Sequence, residues 1–211
     1  MVDNSLLTSP IRAVAFDVFG TLCQITSPRP PYKAMLSRQR QASATWRREV
    51  LCRPLPLAQL AQELGLVLAP DELRNVEDSL QAEIASIQLF PEVPQVLENL
   101  RRLGLKLAVV SNLASPYGAP ARQLLSPYAD VEVWSFEVGC CKPEGAIYAA
   151  ATHRLDCAPA EVLFVGDSLE CDVEGPRRAG LQSVLLDRTG RYPKHASLSQ
   201  LSELSDLIAA A

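Results

Sequence analysis

The feature of the sequence that most constrains the fold is an alternation of short apolar runs with helical patterns. Five mostly apolar, partly β-branched runs occupy residues 11–16, 105–110, 131–136, 161–165 and 183–186. Apolar residues recur at helical spacing in residues 93–103, 143–155, 172–179 and 198–210. Strands that alternate with helices in this way predict an α/β fold whose sheet is mainly parallel and flanked by helices.

One long segment interrupts the alternation. Residues 22–88 follow the first predicted strand and contain helical patterns at 32–51, 57–64 and 70–87, with no convincing second strand. This segment is far longer than an ordinary connection between a strand and a helix. We therefore expect residues 22–88 to form a small helical cap over the carboxyl edge of the sheet, and residues 1–21 and 89–211 to form the core domain.

Composition and charge narrow the possible function classes. The 211 residues carry a formal net charge of −4 and no basic stripe, so a nucleic-acid partner is not expected. The N-terminus is not typical of a signal peptide, and no apolar run is long enough to span a membrane, so we expect a cytoplasmic protein without a membrane partner. The six cysteines form no C-x-x-C pair, and we expect reduced, mostly buried thiols. The sequence does not indicate an oligomeric state.

Polar side chains stand where several predicted strands end. Asp17 follows the first strand, Ser111 the second and Asp167 a later one, while Lys142 lies in a loop before a helix. Ligands of open α/β sheets bind at the carboxyl ends of the strands, so we expect these groups to meet. A carboxylate there can attack phosphorus, and a hydroxyl and an ammonium can hold phosphoryl oxygens. Asp167 and Asp172 together offer oxygen ligands to a hard cation such as Mg²⁺.

Each of these motifs also has a plain structural explanation when taken alone. Asp17 could cap the turn after its strand, Ser111 and Asp172 could be helix N-caps, and Lys142 could be a solvated surface residue. Gly20 would allow a sharp turn that brings backbone N–H groups to an anion. The order of carboxylate, hydroxyl, lysine and acidic pair on separate strand–helix units favours one common site.

The motifs together resemble those of the haloacid dehalogenase-like superfamily of hydrolases. They are DVFGT at 17–21, SN at 111–112, Lys142 followed by proline, and GDSLECD at 166–172, and the similarity runs through residues 10–21 and 89–190. The resemblance implies a Rossmann-like core, and the helical insertion resembles the cap of the subgroup whose cap lies between the first two motifs. It also implies a magnesium-dependent hydrolase that acts on a small, phosphorylated molecule.

By position, the resemblance assigns a role to each motif residue. Asp17 would be the covalent nucleophile and a magnesium ligand, and the backbone carbonyl of Phe19 would be a second ligand. Asp167 would bind the metal directly, while Asp172 would bind it directly, bind it through water, or orient Lys142. The substrate-binding residues would be Gly20, Thr21, Ser111, Asn112 and Lys142, with Thr21 supporting the turn through its hydroxyl.

One position departs from the family's phosphatases, which usually carry a second aspartate, two residues after the nucleophile, as general acid and base. Phe19 stands there in this chain and cannot transfer a proton. Loss of a general acid typically costs about 10²–10⁴ in rate. Three interpretations stay open: the leaving group departs readily, as in an acyl or aryl phosphate; a cap residue supplies the proton; or the reaction is not phosphate hydrolysis.

Two other functions therefore compete with a phosphatase. The family's 2-haloacid dehalogenases resemble this chain in having an aromatic residue at the position of Phe19, and Arg47 or Arg48 would then bind the substrate carboxylate, although both also suit a solvated helix face. Those dehalogenases differ at the fourth motif, whereas this chain keeps Asp167 and Asp172, whose charges would be costly without a cation. A non-catalytic binding or regulatory protein would explain Phe19 but not the otherwise intact set of polar residues.

Overall fold

The structure is a computed structural model and describes residues 9–36 and 46–209. In chain order its strands are β1 (Ala13–Phe16), β2 (Cys23–Ile25), β3 (Ile87–Leu89), β4 (Lys106–Ser111), β5 (Val131–Trp134), β6 (Val162–Gly166), β7 (Gln182–Leu186) and β8 (Ser197–Leu198). Its helices are α1 (Pro31–Leu36), α2 (Trp46–Leu51), α3 (Leu57–Glu63), α4 (Pro70–Ala85), α5 (Val93–Arg102), α6 (Gly118–Leu125), α7 (Ser135–Val138), α8 (Gly145–Leu155), α9 (Gly175–Arg178) and α10 (Glu203–Ala209).

Six of the strands form one parallel sheet, which confirms the predicted fold class. The strand order is β5-β4-β1-β6-β7-β8, and all neighbouring pairs are parallel. The five predicted strands are confirmed, except that the run at 131–136 ends at Trp134 because Ser135 begins the short helix α7. The two-residue strand β8 is too short to give a sequence pattern.

Burial of both faces of the sheet explains why its strands are apolar at nearly every position. In β1, Val14 and Phe16 belong to one apolar cluster, whereas Ala13 and Ala15 belong to the cluster on the opposite face. Residues of α5 and α10 complete the first cluster, and residues of α8 complete the second. Because successive side chains of a strand point to opposite faces, a strand at the centre of this sheet needs apolar residues throughout.

The predicted core helices are present with shifted limits. The predicted helix at 172–179 begins earlier, as a π-helical turn at Leu169–Glu174, and continues as α9. The closing helix begins at Glu203 rather than at residue 198, because Ser197 and Leu198 pair with β7. Helix α6 is not evident from its sequence, GAPARQLL, which begins with glycine and contains proline.

Within the described ranges, no helix combines the length and the apolar character that crossing a membrane requires.

Helices α1–α4 lie between β2 and β3, in the segment where helical patterns are predicted. The two strands pair antiparallel, Cys23 with Leu89 and Ile25 with Ile87, and so bring the ends of the helical segment together. The expectation of no second strand here is wrong, because strands of three residues give no recognisable pattern. The middle of the predicted helix at 32–51 falls on residues 37–45, which lie outside the described residues.

A disulfide joins Cys52, just after α2, to Cys141, in the loop before Lys142, with their Cα atoms 6.4 Å apart. The expectation of reduced cysteines is therefore wrong for this pair. The two residues are separated by 89 positions and meet because α2 packs beside α7, a contact that Cys spacing alone cannot reveal. Free thiols are found at Cys23, which is buried, and at three half-buried positions, Cys140, Cys157 and Cys171.

Candidate active site

The carboxyl ends of β1, β4 and β6 place the predicted side chains at one edge of the sheet. Asp17 directly follows β1, Ser111 is the last residue of β4, and Asp167 directly follows β6. The register aligns Phe16 of β1 with Val109 of β4 and Val165 of β6, so the three strand ends lie side by side. The parallel arrangement therefore assembles the site from segments far apart in the chain.

Lys142 lies between two buried carboxylates. Its Nζ is 2.6 Å from Asp17 Oδ1 and 2.7 Å from Asp172 Oδ1. The side chains of Lys142 and Asp172 are 2% and 1% exposed, and that of Asp17 is 11% exposed. Ser111 Oγ donates a 3.3 Å hydrogen bond to the same Asp17 oxygen that accepts from Lys142. The structure brings together Asp17, Ser111 and Lys142 as predicted, with Asp172 in contact with Lys142. The fourth predicted member, Asp167, has a carboxylate oxygen within 4.8 Å of those of Asp17 and Asp172.

The backbone of Lys142 is held by the side chain of Asn112. Lys142 N–H donates to Asn112 Oδ1 at 2.7 Å, and Asn112 Nδ2 donates to the Lys142 carbonyl at 2.8 Å. This paired contact uses both ends of the amide. Asn112, which was expected to bind substrate, therefore uses its side chain to position Lys142, because the residue after β4 lies directly beside the lysine loop.

Two glycines make room for the remaining carboxylates. A Cβ on Gly20 would lie 2.4 Å from Asp167 Oδ2, and a Cβ on Gly166 would lie 2.4 Å from Asp172 Cγ. Gly20 also has a φ of +88°, which strongly favours glycine. The expectation that Gly20 allows a sharp turn is consistent with this backbone conformation, and the structure adds that its missing side chain lets Asp167 approach the turn.

The charges in the cluster shift one another's ionisation. Burial lowers the pKa of Lys142, but the carboxylates of Asp17 and Asp172 raise it by more, so the ammonium stays protonated. Burial raises the pKa of Asp172, against the opposing effect of Lys142. Burial and the charges of Asp17 and Asp172 together raise the pKa of Asp167 to about 6. Burial is the main cause of both raised pKa values, so these carboxyl groups ionise less readily than exposed ones.

The donor set fits a hard divalent cation. Asp17, Asp167 and Asp172 each offer a carboxylate oxygen, and these oxygens lie within 4.8 Å of one another. Lys142 pairs with Asp17 and Asp172, whereas Asp167 has no ion-pair partner among the residues that the structure describes. Oxygen ligands of this kind suit Mg²⁺.

Within this set, Asp172 accepts a hydrogen bond on each carboxylate oxygen, whereas both bonds to Asp17 fall on Oδ1. Asp172 Oδ1 accepts from Lys142 and its Oδ2 accepts from the backbone N–H of Ser168 at 2.9 Å. Among the roles predicted for Asp172, the orientation of Lys142 fits this geometry best. The metal-ligand role of the Phe19 carbonyl stays a prediction.

The turn after Asp17 is held by groups that sequence reasoning missed. The carbonyl of Val18 accepts hydrogen bonds from three successive backbone N–H groups, those of residues 21–23. Arg188 Nη2 donates to the Thr21 carbonyl at 2.9 Å and its Nε to the Gly20 carbonyl at 3.3 Å. Arg188 also pairs with Glu92 at 2.6 Å. In the sequence, Arg188 could have been recognised only by its position just beyond β7, at the same edge of the sheet.

Thr21 itself does not act as expected. Its side chain is fully buried, and its hydroxyl has no hydrogen-bond partner among the described residues. The prediction that this hydroxyl supports the turn is therefore wrong. The backbone carbonyl of Thr21 makes the stabilising contact instead, because Arg188 approaches the turn from β7.

A pocket of about 380 Å³ opens between the strand-end loops and the helical segment. Phe19, Asn112 and Tyr117 line it from the loops, and Tyr32 and Leu51 line it from the helices. The remaining lining residues are Ile25, Val50, Leu113 and Ala114. Asn112 lines the pocket and its side chain bonds to the backbone of Lys142, so the pocket adjoins the carboxylate cluster. Among the residues that the structure describes, the lining contains no charged side chain.

Arg48 is not among the described residues that line this pocket. Arg48 Nη1 pairs with Glu144 Oε1 at 2.5 Å, and Arg48 Nη2 donates to the Gly139 carbonyl at 3.3 Å. The solvated helix face is therefore the better description of Arg48, whose side chain is 54% exposed. The side chain of Arg47 lies outside what the structure describes.

Comparisons with known proteins identify the family. A family model described as haloacid dehalogenase-like hydrolase matches residues 11–180. The ribulose-1,5-bisphosphate 5-phosphatase of Halopiger xanaduensis is 32% identical over 143 residues, and the match spans 60% of this chain but only 59% of that protein. The (S)-2-haloacid dehalogenase 4A of Burkholderia cepacia is 26% identical across 96% of this chain and 97% of that protein.

A solved structure is similar over almost the whole chain. The haloacid dehalogenase-like phosphatase of Thermococcus onnurineus aligns with a TM-score of 0.68 and 26% identity, covering 94% of this chain and 98% of that one. Phosphatases and dehalogenases are thus both among the similar proteins. The comparisons support a hydrolase, and they do not distinguish cleavage of a phosphate ester from cleavage of a carbon–halogen bond.

Proposed function

The chain belongs to the haloacid dehalogenase-like hydrolases, and on that premise we propose that it is a magnesium-dependent phosphatase that acts through Asp17. The observation that carries the proposal is the cluster of Asp17, Asp167 and Asp172 around the single ammonium of Lys142. Lys142 pairs with Asp17 and Asp172, and Asp167 has no ion-pair partner among the described residues, so the three carboxylates repel one another unless a further cation is bound. In an enzyme that works without metal, the three carboxylates would lie together with no bound cation to offset their repulsion.

The reaction would proceed through the side chains in the positions described. An Asp17 oxygen forms a bond to phosphorus while the ester P–O bond breaks and its electron pair leaves with the substrate oxygen. Water then attacks phosphorus and releases Asp17 and inorganic phosphate. Lys142 has three N–H donors, of which two contact Asp17 and Asp172, so the third is available to a phosphoryl oxygen. The Ser111 hydroxyl donates its one proton to Asp17 in the structure, and it would hold a second phosphoryl oxygen by exchanging that bond.

Magnesium would be held by Asp17 and Asp167, with Asp172 orienting Lys142 behind them. The positive charge of a bound Mg²⁺ would offset the repulsion between an anionic phosphate and the Asp17 carboxylate. This assignment is supported by the all-oxygen donor set and by the raised pKa of Asp167, which burial and the neighbouring carboxylates bring to about 6.

We further propose that residues 22–88 form a cap and that residues 1–21 and 89–211 form the catalytic core. The antiparallel pair of β2 and β3 joins the two ends of the cap next to the catalytic loop. Tyr32 and Leu51 of this segment line the pocket beside Phe19. A cap in this place would cover the substrate and set specificity. We also propose that the enzyme acts in the cytoplasm on a small molecule and binds neither nucleic acid nor a membrane.

The test is hydrolysis of a chromogenic aryl phosphate with MgCl₂ and with EDTA. We expect turnover that requires Mg²⁺ and that Asp17→Asn abolishes. Asp206→Asn is the matched control, since Asp206 is exposed on α10; its activity should equal that of the unmodified protein. Equal turnover in EDTA, or full activity of Asp17→Asn, would contradict the proposal.

A 2-haloacid dehalogenase is the second candidate, because the match to the Burkholderia cepacia dehalogenase covers nearly the full length of both chains. Its signature would be chloride release from 2-chloropropionate that persists in EDTA. A non-catalytic binding protein would be inactive in both assays, while Mg²⁺ would still raise its melting temperature.

A further inference from the structure

We propose that the pocket between Phe19 and the helical segment holds the aromatic half of an aryl phosphate, which leaves as an aryloxide without help from a general acid. This inference rests on the proposed phosphatase function and adds the substrate class. Three independent properties support it: the lining of the pocket, its size, and the chemistry available at position 19.

The walls of the pocket are aromatic and aliphatic. Phe19 and Tyr117 meet edge to face with ring centroids 6.1 Å apart, and Tyr32 lies 6.3 Å from Tyr117. Leu51 and Ile25 add aliphatic surface. Aromatic rings pack well in offset or edge-to-face arrangements, so a fourth ring, supplied by the substrate, is a suitable occupant.

The polar side chains in the walls are mostly committed to partners within the protein. Tyr117 donates a 2.5 Å hydrogen bond to Glu83, and the Asn112 amide is paired with the backbone of Lys142. Tyr32 has a buried hydroxyl without a partner among the described residues. A sugar would bury several hydroxyl groups against this lining, which is unfavourable when they find no partners. An aromatic ring with one polar substituent matches the lining better.

The size of the pocket also suits a small ring system. Its volume of about 380 Å³ is at the lower end of the range for ligand pockets, about 300–1,000 Å³. A dry apolar cavity of about 150 Å³ is enough to bind benzene. The pocket therefore has room for one substituted ring or two fused rings, and a long lipid chain would not be contained in it.

The chemistry at position 19 selects the same class of leaving group. Phe19 stands where a proton donor is expected and its ring lines the pocket. When Asp17 forms its bond to phosphorus, the electron pair of the broken ester bond must stay on the leaving oxygen. An aryl ring delocalises this charge and the aryloxide takes a proton from water afterwards, whereas an alkoxide needs protonation as it leaves.

The first experiment compares kcat/KM of the full chain, with Mg²⁺, for phenyl phosphate, 1-naphthyl phosphate and glycerol 3-phosphate. We expect both aryl esters to exceed glycerol 3-phosphate by at least about 100-fold, the lower bound for a missing acid. If glycerol 3-phosphate is turned over as well as the aryl esters, the aryl assignment is wrong, while the proposed phosphatase function is still supported. No turnover of any ester would overturn the phosphatase and, with it, this inference.

Two variants test the pocket and the leaving group separately. Leu51→Gln should raise KM for phenyl phosphate about tenfold, as expected when an apolar contact in a binding pocket is lost, and Ile25→Gln serves the same purpose if that variant does not fold. Leu103→Gln is the control, because Leu103 is 54% exposed at the end of α5. Phe19→Asp should raise kcat for glycerol 3-phosphate at least about tenfold by restoring an acid. An unchanged KM in both pocket variants, or an unchanged ratio of aryl to alkyl turnover in Phe19→Asp, would overturn the proposal.

Discussion

The ammonium of Lys142 should be the main electrostatic support of the metal-free site, and Lys142→Met tests this. The substitution keeps a flexible apolar chain of similar length and removes only the charge and its N–H donors. Asp17 and Asp172 would then lose their contacts of 2.6 and 2.7 Å to Nζ. The variant isolates the cost of leaving these carboxylates near Asp167 without a compensating cation.

The size of the effect follows from burial. At an effective dielectric constant of about 20, each of the two contacts is worth about 6 kcal/mol of Coulomb attraction, of which desolvation of the ions cancels a large part. Removing one partner of a buried ion pair typically costs about 3–5 kcal/mol. Lys142 and Asp172 are almost completely buried, so we expect the free energy of unfolding to fall by about this amount at pH 7.

Urea unfolding in EDTA, followed by circular dichroism, measures this quantity. Lys33→Met is the matched control, because Lys33 is exposed on α1; it should change the free energy of unfolding by less than about 0.5 kcal/mol. Adding Asp172→Asn to Lys142→Met should restore part of the loss, since it removes one unpaired charge. A loss below about 1 kcal/mol for Lys142→Met, or strictly additive losses in the double variant, would refute the electrostatic reasoning.

Three further predictions concern the groups around this pair. The pKa of Asp167 in the folded protein, about 6, lies above its ordinary value of 3.8. The contribution of Asp167 to stability is therefore present below pH 4 and is lost as the pH rises through 6. Asp167→Asn should raise the urea midpoint in EDTA at pH 8 more than at pH 4.5, and an equal change at both pH values would contradict this prediction. Gly20→Ala would place a methyl group 2.4 Å from Asp167 Oδ2 at a φ of +88°, and should cost about 1–3 kcal/mol of stability together with at least tenfold in kcat; normal kinetics would show that the turn adapts. Arg188→Met removes the hydrogen bonds to the Gly20 and Thr21 carbonyls and should cost about 2–3 kcal/mol, with Arg188→Lys intermediate; an unchanged melting temperature would exclude this role.

The elements that sequence reasoning predicted are those whose physical signal is local. A strand buried on both faces, such as β1 or β4, must be apolar along its length, and its end is marked by the first polar residue. Asp17 and Ser111 were therefore placed correctly at neighbouring strand ends, and the parallel register brought them together. The predicted roles of Phe19 and of Asp167 as metal ligands depend on an ion, so they stay predictions.

The features that sequence reasoning missed depend on contacts between distant segments. The disulfide of Cys52 and Cys141 and the support of the catalytic turn by Arg188 exist only in the folded chain. The resemblance predicts that Asn112 binds substrate, yet its side-chain amide bonds to the backbone of Lys142. Strands of three residues, such as β2, carry too few side chains for a pattern to appear.

The central position of β1 in the sheet has a consequence for synthesis and degradation of the protein. Its two neighbours, β4 and β6, begin at Lys106 and Val162, so a ribosome-bound chain that ends before them has no partner for the strand beside the nucleophile. Closing such long loops is slow compared with forming local contacts. We therefore expect hydrolytic activity to appear only after β6 has been synthesised, in a single step. A protease that removes the C-terminal third of the chain should leave fragments without residual activity.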